Sequence, residues 1–364
     1  MDKKINVGIL FGGKSVEHEV SVQSAKNVYD AIDKNKYNVV MIGITKDGKW
    51  RLNPKVANGV LSISDGNGAP NNPLTLMPEA DGKQLVDLEG KKHIEKLDVI
   101  FPILHGQFGE DGTVQGLLKL VNIPFVGSGV LGSAVGIDKE VMKRLLKGSD
   151  LPSAKYLVLY KYVGDVPNPT YDEIKTYLGV PFFVKPANLG SSVGISKVNN
   201  ADEFQYAVDE AFKFDVKLIV EMNIKGREIE CAVLGNEKPI ASLPGEIISS
   251  HSFYSYEAKY LDEHGAILKI PASLPDDIIR KIQGTAIKAF KALYSEGMAR
   301  VDFFLTDEQE IIINEINTIP GFTKISMYPK LWEASGISYS ELIDRLIQLA
   351  IQRFDREMQL RTSR

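Results

Sequence analysis

The chain contains a single cysteine, Cys231, and no long apolar segment. One cysteine cannot form a disulfide within the chain, and such scarcity is typical of a reducing compartment, so a cytoplasmic protein is expected. No stretch reaches the roughly 18 uninterrupted apolar residues of a membrane-spanning helix, and the first residues lack the apolar core of a secretion signal. The net charge of −4 argues against general binding to nucleic acid or to an anionic membrane.

What the chain has is the composition of an ordinary globular protein. Its 364 residues predict about two to three domains, and its hydrophobic content of 44% suffices for a sizeable core. Apolar runs at residues 5–11, 39–44 and 99–104 predict strands, and residues 16–32 have the spacing of a helix. Strands that alternate with helices predict an α/β domain with a parallel sheet.

The organisation changes after this first unit. Strands predicted at residues 156–159, 182–185 and 218–221, with a helix at 201–212, form an α+β layer. We therefore expect three domains, which span residues 1–137, 138–222 and 223–364.

Two further segments are distinctive. Residues 53–90 are polar and contain several Gly and Pro residues, so they predict a loop-rich insertion in the first domain. Near the C-terminus, Ser338 and Glu341 have the spacing of a capping box, which predicts the start of a last helix with an apolar stripe.

An acidic hairpin is the most informative feature of the chain. Asp302 and Glu315 lie thirteen positions apart, and two apolar runs between them flank the polar turn of residues 306–309, so two paired strands are predicted. Alternate residues of a strand share a face, which groups Glu315 with Asn317 and Arg300 with Asp302. Three oxygen donors suit Mg²⁺ or Mn²⁺, and Arg300 can stabilise developing negative charge. The alternative is an edge hairpin with a solvated polar face.

Residues 8–15, GILFGGKS, match the P-loop pattern of nucleotide-binding proteins letter for letter. We reject the match, because residues 9–11 continue a strand and because Glu17 and Glu19 would repel a triphosphate at the start of the next helix. A strand, a glycine turn and a helix would instead deliver Glu17 to the carboxyl end of the sheet, where a carboxylate can hold an ammonium group. A P-loop nucleotide switch that uses Lys14 is the rival hypothesis.

A second glycine loop is more persuasive. The predicted strand that ends at Lys185 is followed by GSSVG at residues 190–194 and by a returning strand, which together predict a hairpin with a small-residue tip. Backbone N–H groups and the hydroxyls of Ser191 and Ser192 at such a tip can close over phosphates, and Lys185 supplies positive charge. A simple Gly/Ser turn is the alternative.

Three other segments carry weaker signals. Glu221 ends an apolar strand at a predicted domain junction, where an acid and free backbone groups suit adenosine, although an ordinary strand end fits as well. His105 lies in a glycine-rich loop and is either structural or catalytic. Residues 253–260 are aromatic and polar and form either an active-site cover or a packed surface loop.

Five segments, in this order, resemble the D-alanine–D-alanine ligases of the ATP-grasp superfamily. They are FGGKSVEHEVS at residues 11–21, HG with GEDG at 105–112, KP with GSSVG at 185–194, YEAKY at 256–260, and RVD with EINTIPG at 300–321. The resemblance covers about residues 4–355. It implies a three-domain ATP-grasp architecture with an N-terminal parallel-sheet (pre-ATP-grasp) domain, and with ATP bound between the central and C-terminal domains.

The resemblance also implies an ATP site and a metal site. Two Mg²⁺ or Mn²⁺ ions would be held by Asp302, Glu315 and Asn317, with Glu315 shared between them. Lys139 and Lys185 would contact the ATP phosphates. The full set of implied ATP-binding residues is Lys139, Lys185, Ser191, Ser192, Glu221, Met222, Ile224, Glu228 and Lys259.

The implied substrate site lies beside the nucleotide. Glu17 would hold the ammonium group of the first D-alanine, and Ser191 and Tyr260 would join Glu17 in a hydrogen-bonded set. Arg300 and the N–H of Gly321 would form the oxyanion site. The implied substrate-binding residues are Glu17, His105, Lys259, Arg300, Ser326 and Met327.

The implied reaction is ATP-dependent formation of D-alanyl-D-alanine through D-alanyl phosphate, for peptidoglycan precursor synthesis, by a homodimer. Alternatives are a D-alanyl-D-serine or D-alanyl-D-lactate ligase, or another ATP-grasp ligase that joins a carboxylate to an amine. Tyr260 resembles the dipeptide-forming type, whereas Met327 occupies a position that varies among relatives.

Overall fold

The structure is a computed structural model that describes residues 3–52, 56–57, 60–61, 73–78, 85–88, 92–93, 96–162, 164, 167–249 and 266–361. Three sheets organise most of these residues, and each is built from neighbouring segments of the chain. Within the described residues, no helix combines the length and the apolar character that a membrane span requires.

The first sheet has the strand order β3-β2-β1-β9 and is parallel apart from β3. The strands of this region are β1 (Ile5–Gly12), β2 (Tyr37–Ile44), β3 (Trp50–Leu52), β4 (Val56–Ala57), β5 (Val60–Leu61), β6 (Leu74–Leu76), β7 (Leu85–Asp87), β8 (Lys92–His93) and β9 (Val99–Ile103). The helices are α1 (His18–Ala31), α2 (Thr113–Leu120) and α3 (Val130–Ile137). The predicted parallel sheet is confirmed, whereas α2 and α3 were not predicted.

Strand β1 explains why the P-loop match is not a P-loop. It runs through Gly12 and is paired on both sides, with β2 and with β9. A strand buried on both faces requires a continuous apolar run, and Ile9, Leu10 and Phe11 are fully buried. The segment that would have to wrap phosphates is therefore the centre of the sheet.

The polar insertion contains short strands in its described parts. β6, β7 and β8 form a small antiparallel sheet, and β4 pairs with β5. These described parts contribute to the core of the first unit: Leu74, Leu76 and Leu85 are buried in one cluster with Leu10 and Ile42 of the first sheet. The apolar residues between the turns are too few to have indicated strands.

The second sheet is antiparallel, with the order β10-β13-β11-β12. Its strands are β10 (Tyr156–Tyr160), β11 (Phe182–Pro186), β12 (Ser196–Val198) and β13 (Lys217–Met222), and the helices of this region are α4 (Lys139–Gly148), α5 (Tyr171–Leu178) and α6 (Ala201–Ala211). Helix α5 was missed, although Thr170 and Glu173 form a complete capping box at its start. The sheet, α5 and α6 enclose a separate core that includes Leu159, Phe182 and Val220.

The third sheet is antiparallel, with the order β17-β16-β14-β18-β19 and with β15 paired to β14. Its strands are β14 (Arg227–Gly235), β15 (Ile240–Ala241), β16 (Gly245–Ser249), β17 (Ala266–Lys269), β18 (Gly297–Leu305) and β19 (Ile311–Asn317). The accompanying helices are α7 (Asp276–Ala292), α8 (Met327–Ala334) and α9 (Tyr339–Met358). The predicted hairpin of the acidic residues is β18–β19, and the predicted last helix is α9, whose N-cap Ser338 accepts from Glu341 N.

One hydrophobic core joins the first and third units. It contains Val7 and Phe101 of the parallel sheet together with Leu342 and Leu346 of α9. Arg353, also on α9, is buried and donates to the carbonyl oxygens of Phe125, at 2.8 Å, and Gly127. Helix α9 is therefore held against the segment that follows α2.

Candidate active site

Loops from all three sheets meet at two adjoining cavities. The larger cavity, of about 280 Å³, lies between the second and third sheets, and the smaller, of about 50 Å³, faces the loops that follow β1 and β9. Both cavities are lined by Gly190, Ser191 and Glu315. A ligand in one cavity therefore adjoins a ligand in the other at these three residues.

The larger cavity gathers most of the predicted nucleotide-binding residues. Its lining includes Lys139, Lys185, Ser191, Ser192, Glu221, Met222, Ile224 and Glu228, all of which were predicted, and Phe183 and Phe304, which were not. The sequence could have indicated both phenylalanines, because alternate residues of a strand share a face. Phe183 lies two positions before Lys185 on β11, and Phe304 lies two positions after Asp302 on β18.

A buried carboxylate between two lysines forms one wall of this cavity. Glu221 is ion-paired with Lys185 and with Lys143, a fully buried lysine on α4. Burial alone would raise the pKa of Glu221, but the two lysines outweigh it and lower that pKa to about 2. Lys143 was missed, although it lies four positions after Lys139 and so on the same face of α4.

Lys139 connects the nucleotide cavity to the glycine loop and to the acidic hairpin. Its Nζ donates to the carbonyl oxygen of Leu189 at 2.6 Å and lies 3.4 Å from Oε2 of Glu315. Asp138 caps α4 by accepting from two backbone N–H groups at its start, and it is itself paired with Lys217 at 2.6 Å. The cap and the ion pair fix the first turn of α4 and with it the position of Lys139.

The glycine loop and the loop after β1 are in contact. Ser191 donates a hydrogen bond to the carboxylate of Glu17, which is buried. Ser191 and Ser192 both have positive φ angles, of 53° and 59°, so the tip of the predicted hairpin adopts a left-handed conformation. This contact draws the tip of the second sheet onto the first unit.

Arg300 lies beneath the smaller cavity in a strongly acidic environment. Its guanidinium forms two hydrogen bonds with Asp302, both of 2.7 Å, and its Nε lies 2.8 Å from Oε2 of Glu230. Burial lowers the pKa of Arg300, but the carboxylates outweigh it and the net shift is upward, so the group stays charged. Glu230 was missed: it lies directly opposite Asp302 on β14, a pairing that sequence alternation cannot reveal.

The predicted metal ligands lie opposite one another on neighbouring strands, next to a shift in the register between Asp302 and Phe303. Asp302 is opposite Glu315 and Arg300 is opposite Asn317, and Asn317 Nδ2 donates to Asp302 at 3.0 Å. In the described part of the chain, no three Asp, Glu, His or Cys side chains converge as metal ligands. The set of two carboxylates and one amide still offers only oxygen donors, and Glu315 lines both cavities, which is the chemistry that Mg²⁺ prefers.

The remaining predicted residues fall in different places. Gly321 and His105 line the smaller cavity, whereas Ser326 and Met327 line neither cavity. Ser326 Oγ accepts from Thr323 N at 2.9 Å, and Met327 is buried in the core near Gly245. Lys259, Tyr260 and the aromatic segment of residues 253–260 lie outside the described residues.

A buried acid in the smaller cavity was not assigned a role from the sequence. Glu110 follows Gly109 in the glycine-rich loop after β9 and lines the cavity with Glu17, His105 and Arg300. Burial, together with the charge of Glu17, raises the pKa of Glu110 to about 8. Burial lowers the pKa of His105, which keeps its imidazole neutral near pH 7.

Comparisons with known proteins agree along the whole chain. The sequence models described as "D-ala D-ala ligase N-terminus" and "D-ala D-ala ligase C-terminus" match residues 6–128 and 145–348. The chain is 56% identical to the D-alanine–D-alanine ligase of Oceanobacillus iheyensis over 99% of both chains.

Solved structures show the same similarity. The D-alanine–D-alanine ligase from Coxiella burnetii has a TM-score of 0.83 at 39% identity, over 98% of both chains. The VanG D-Ala:D-Ser ligase from Enterococcus faecalis has a TM-score of 0.86 at 36% identity, over 96% of this chain and 100% of that one. These matches confirm the three-domain ATP-grasp architecture that the sequence predicted.

Proposed function

The chain belongs to the D-alanine–D-alanine ligase family and is an ATP-dependent ligase of two D-alanine molecules. We propose that both steps of its reaction take place where the two cavities meet, at Glu315. The observation that carries this proposal is the shared lining: a lysine-rich cavity for a nucleotide adjoins an acid- and arginine-lined pocket for an amino acid.

The nucleotide occupies the larger cavity. Phe183 and Phe304 offer apolar surface for adenine, the backbone at Met222 and Ile224 offers polar groups to its edge, and Glu228 faces the ribose. Lys139 and Lys185 face the phosphates, with the hydroxyls of Ser191 and Ser192 at the loop that covers them. When ATP binds, Lys185 pairs with a phosphate group instead of with Glu221. Glu221 stays ionised because its ion pair with Lys143 remains.

The first step is phosphoryl transfer in the smaller cavity. Glu17 holds the ammonium group of the first D-alanine, whose carboxylate oxygen attacks the γ-phosphorus of ATP as ADP leaves. Two Mg²⁺ or Mn²⁺ ions held by Asp302, Glu315 and Asn317 would neutralise charge on the phosphate oxygens. The contact between Ser191 and Glu17 closes the loop over the reactive acyl phosphate and excludes water.

The second step is amide formation. The neutral amine of the second D-alanine attacks the acyl carbon, and Arg300 with the N–H of Gly321 stabilises the tetrahedral oxyanion. Phosphate then leaves with the bonding electrons of the C–O bond, and the nitrogen releases one proton as the amide forms. Lys259 and Ser326 are assigned to the carboxylate of the second D-alanine, with Met327 near it, and Tyr260 to the set of Glu17 and Ser191. The product serves peptidoglycan precursor synthesis, in the cytoplasm where ATP is available.

The alternative second substrates are not favoured. Three relatives that are 51–56% identical to this chain are D-alanine–D-alanine ligases, whereas the D-Ala:D-Ser ligase of Enterococcus faecalis is 36% identical. The rival P-loop switch is also disfavoured, because the residues of its motif form the buried strand β1.

A substrate assay tests the function directly. With ATP, Mg²⁺ and D-alanine, we expect equal amounts of ADP, phosphate and D-alanyl-D-alanine, measured by coupled ADP release and by mass spectrometry of the product. L-Alanine should support neither ADP release nor dipeptide formation. Phosphate release that depends on bicarbonate, or a product formed from L-amino acids, would contradict the assignment.

The enzyme is proposed to act as a homodimer. Helices α2 and α3 pack against each other and expose an apolar patch, Leu117, Leu120, Val130 and Leu131, of which Leu120 is 73% exposed. Exposed apolar patches of this kind mark interaction surfaces, and a self-complementary patch forms a symmetric dimer.

A charge placed in this patch should separate the subunits. Leu120→Glu is expected to change the mass measured by light scattering from dimer to monomer, because burying a carboxylate at an apolar interface is unfavourable. Leu360→Glu is the matched control, since Leu360 is similarly exposed, at 69%, but lies beyond α9. A dimer that persists in Leu120→Glu would place the interface elsewhere.

A further inference from the structure

Two side chains of the first unit anchor the residue that follows Gly321. Phe322 is fully buried, its N–H donates to Ser24 Oγ at 3.1 Å, and its carbonyl oxygen accepts from Asn27 Nδ2 at 3.1 Å. Ser24 and Asn27 both lie on α1. The residue after Gly321 is therefore fixed to the helix that follows β1.

The same segment is anchored on its N-terminal side by the loop after β9. The carbonyl oxygen of Ile319 accepts from His105 Nδ1 at 3.0 Å, and its N–H donates to Glu110 Oε1 at 3.3 Å. A carbonyl oxygen can only accept, so this contact places a proton on Nδ1 of His105. The second oxygen of Glu110 accepts from Gly106 N at 2.7 Å.

The two anchors leave Gly321 little freedom. Pro320, with its fixed φ angle, separates Ile319 from Gly321. A Cβ atom on Gly321 would lie 2.7 Å from Ser326 Oγ, so a side chain at this position would displace the Ser326 hydroxyl from its contact with Thr323 N. The direction of the Gly321 N–H is consequently determined by what holds Ile319 and Phe322.

We propose that Glu110 is a positioning residue for the second step of the reaction, because the two oxygens of its carboxyl group bridge Gly106 and Ile319 and thereby aim the N–H of Gly321 at the tetrahedral oxyanion. His105 fixes the carbonyl oxygen of Ile319, while Glu110 fixes the N–H of the same residue. The inference rests on the proposed ligase reaction and on the role of Gly321 within it. Donors that are fixed before the charge develops stabilise a transition state without reorganisation.

A carboxyl group is required here because two buried N–H groups need two oxygen acceptors, and both oxygens of a carboxyl group can accept. An amide in the same place offers one oxygen, so either Gly106 or Ile319 would face an N–H₂ group and lose its partner. A purely structural role for Glu110, in which it only shapes its own loop through Gly106, makes a different prediction. In that case substrate binding and both steps would weaken together with thermal stability.

The test is Glu110→Gln, with each step measured separately. Acyl phosphate formation is followed by positional isotope exchange in ¹⁸O-labelled ATP, and the second step by dipeptide formed per ADP released. We expect kcat for dipeptide to fall about tenfold to a hundredfold, with the KM for ATP within about twofold of wild type. Isotope exchange should persist, and more ADP should be released per dipeptide.

Two further variants make the outcome decisive. Glu296→Gln is the control for loss of a carboxylate: Glu296 is half-buried and paired with Arg356 but lies away from both cavities, so the variant should behave as wild type. Glu110→Asp keeps the carboxyl group but shortens its reach, so it should show the same separation of steps even if the glutamine variant does not fold.

The results also separate this inference from the proposed function. Unchanged kcat and unchanged dipeptide per ADP in either Glu110 variant, or a parallel loss of isotope exchange and dipeptide, would overturn the positioning role. A wild-type enzyme that forms no dipeptide would instead overturn the proposed function itself.

Discussion

Replacing Glu315 with glutamine (Glu315→Gln) is expected to slow dipeptide formation about a thousandfold, equivalent to about 4 kcal/mol in the barrier, while the protein stays folded. Glu315 lines both cavities and lies opposite Asp302, so its charge acts where the nucleotide meets the amino acid. Glutamine keeps the size of the side chain and removes its charge. The metal ions proposed for this hairpin would lose the carboxylate they share.

The measurement is turnover as a function of Mg²⁺ concentration, with thermal unfolding of each variant alongside. Glu310→Gln is the control, because Glu310 is exposed and lies just before the same strand, and it should retain full activity. Wild-type turnover in Glu315→Gln, or in the unmodified enzyme after thorough removal of divalent ions, would refute the metal assignment.

Lys185→Met is expected to weaken ATP binding about thirtyfold to a hundredfold, or about 2–3 kcal/mol. The Lys185 side chain lines the nucleotide cavity and is only 12% exposed, so its charge is poorly screened there. The variant should fold, because Glu221 keeps Lys143 as its partner and no buried charge is left alone. Methionine preserves the apolar stem of the side chain.

Lys14→Met provides the matched comparison. Lys14 lies in the P-loop-like sequence but lines other cavities, beside Gly13 and Ser15, and not the nucleotide cavity. Its loss should change the Kd for ATP by less than about threefold, measured by calorimetry with a non-hydrolysable analogue. The ATP assignment is wrong if Lys14→Met abolishes binding while Lys185→Met does not.

The parts of the site that sequence predicted well are those made by local pairing. The hairpin of Arg300, Asp302, Glu315 and Asn317 joins strands that are close in sequence, so alternation alone reveals which side chains share a face. The glycine loop was predicted for the same reason, since it joins β11 and β12, which are paired and close in sequence. The rejection of the P-loop also depends on a local pattern, because the apolar run of residues 9–11 shows that the strand continues through the motif.

Two charged residues that the sequence did not reveal depend on distant pairing. Glu110 and Ile319 are 209 positions apart, and their hydrogen bond exists only because the first and third units share a core. Glu230 shares a face with Glu228, but only the pairing of β14 with β18 brings it to Asp302 and Arg300. No local pattern distinguishes such residues from ordinary charged residues on a strand or loop.

The core shared by the parallel sheet and α9 limits how related genes can be recombined. Val7 and Phe101 pack in one cluster with Leu342 and Leu346, so the first and last segments of the chain form a single cooperative unit although they are far apart in sequence. The second sheet holds its own core and can be exchanged as a module. Chimeras between relatives should therefore tolerate crossovers at both ends of the second sheet, whereas the parallel sheet and α9 must be inherited from the same parent.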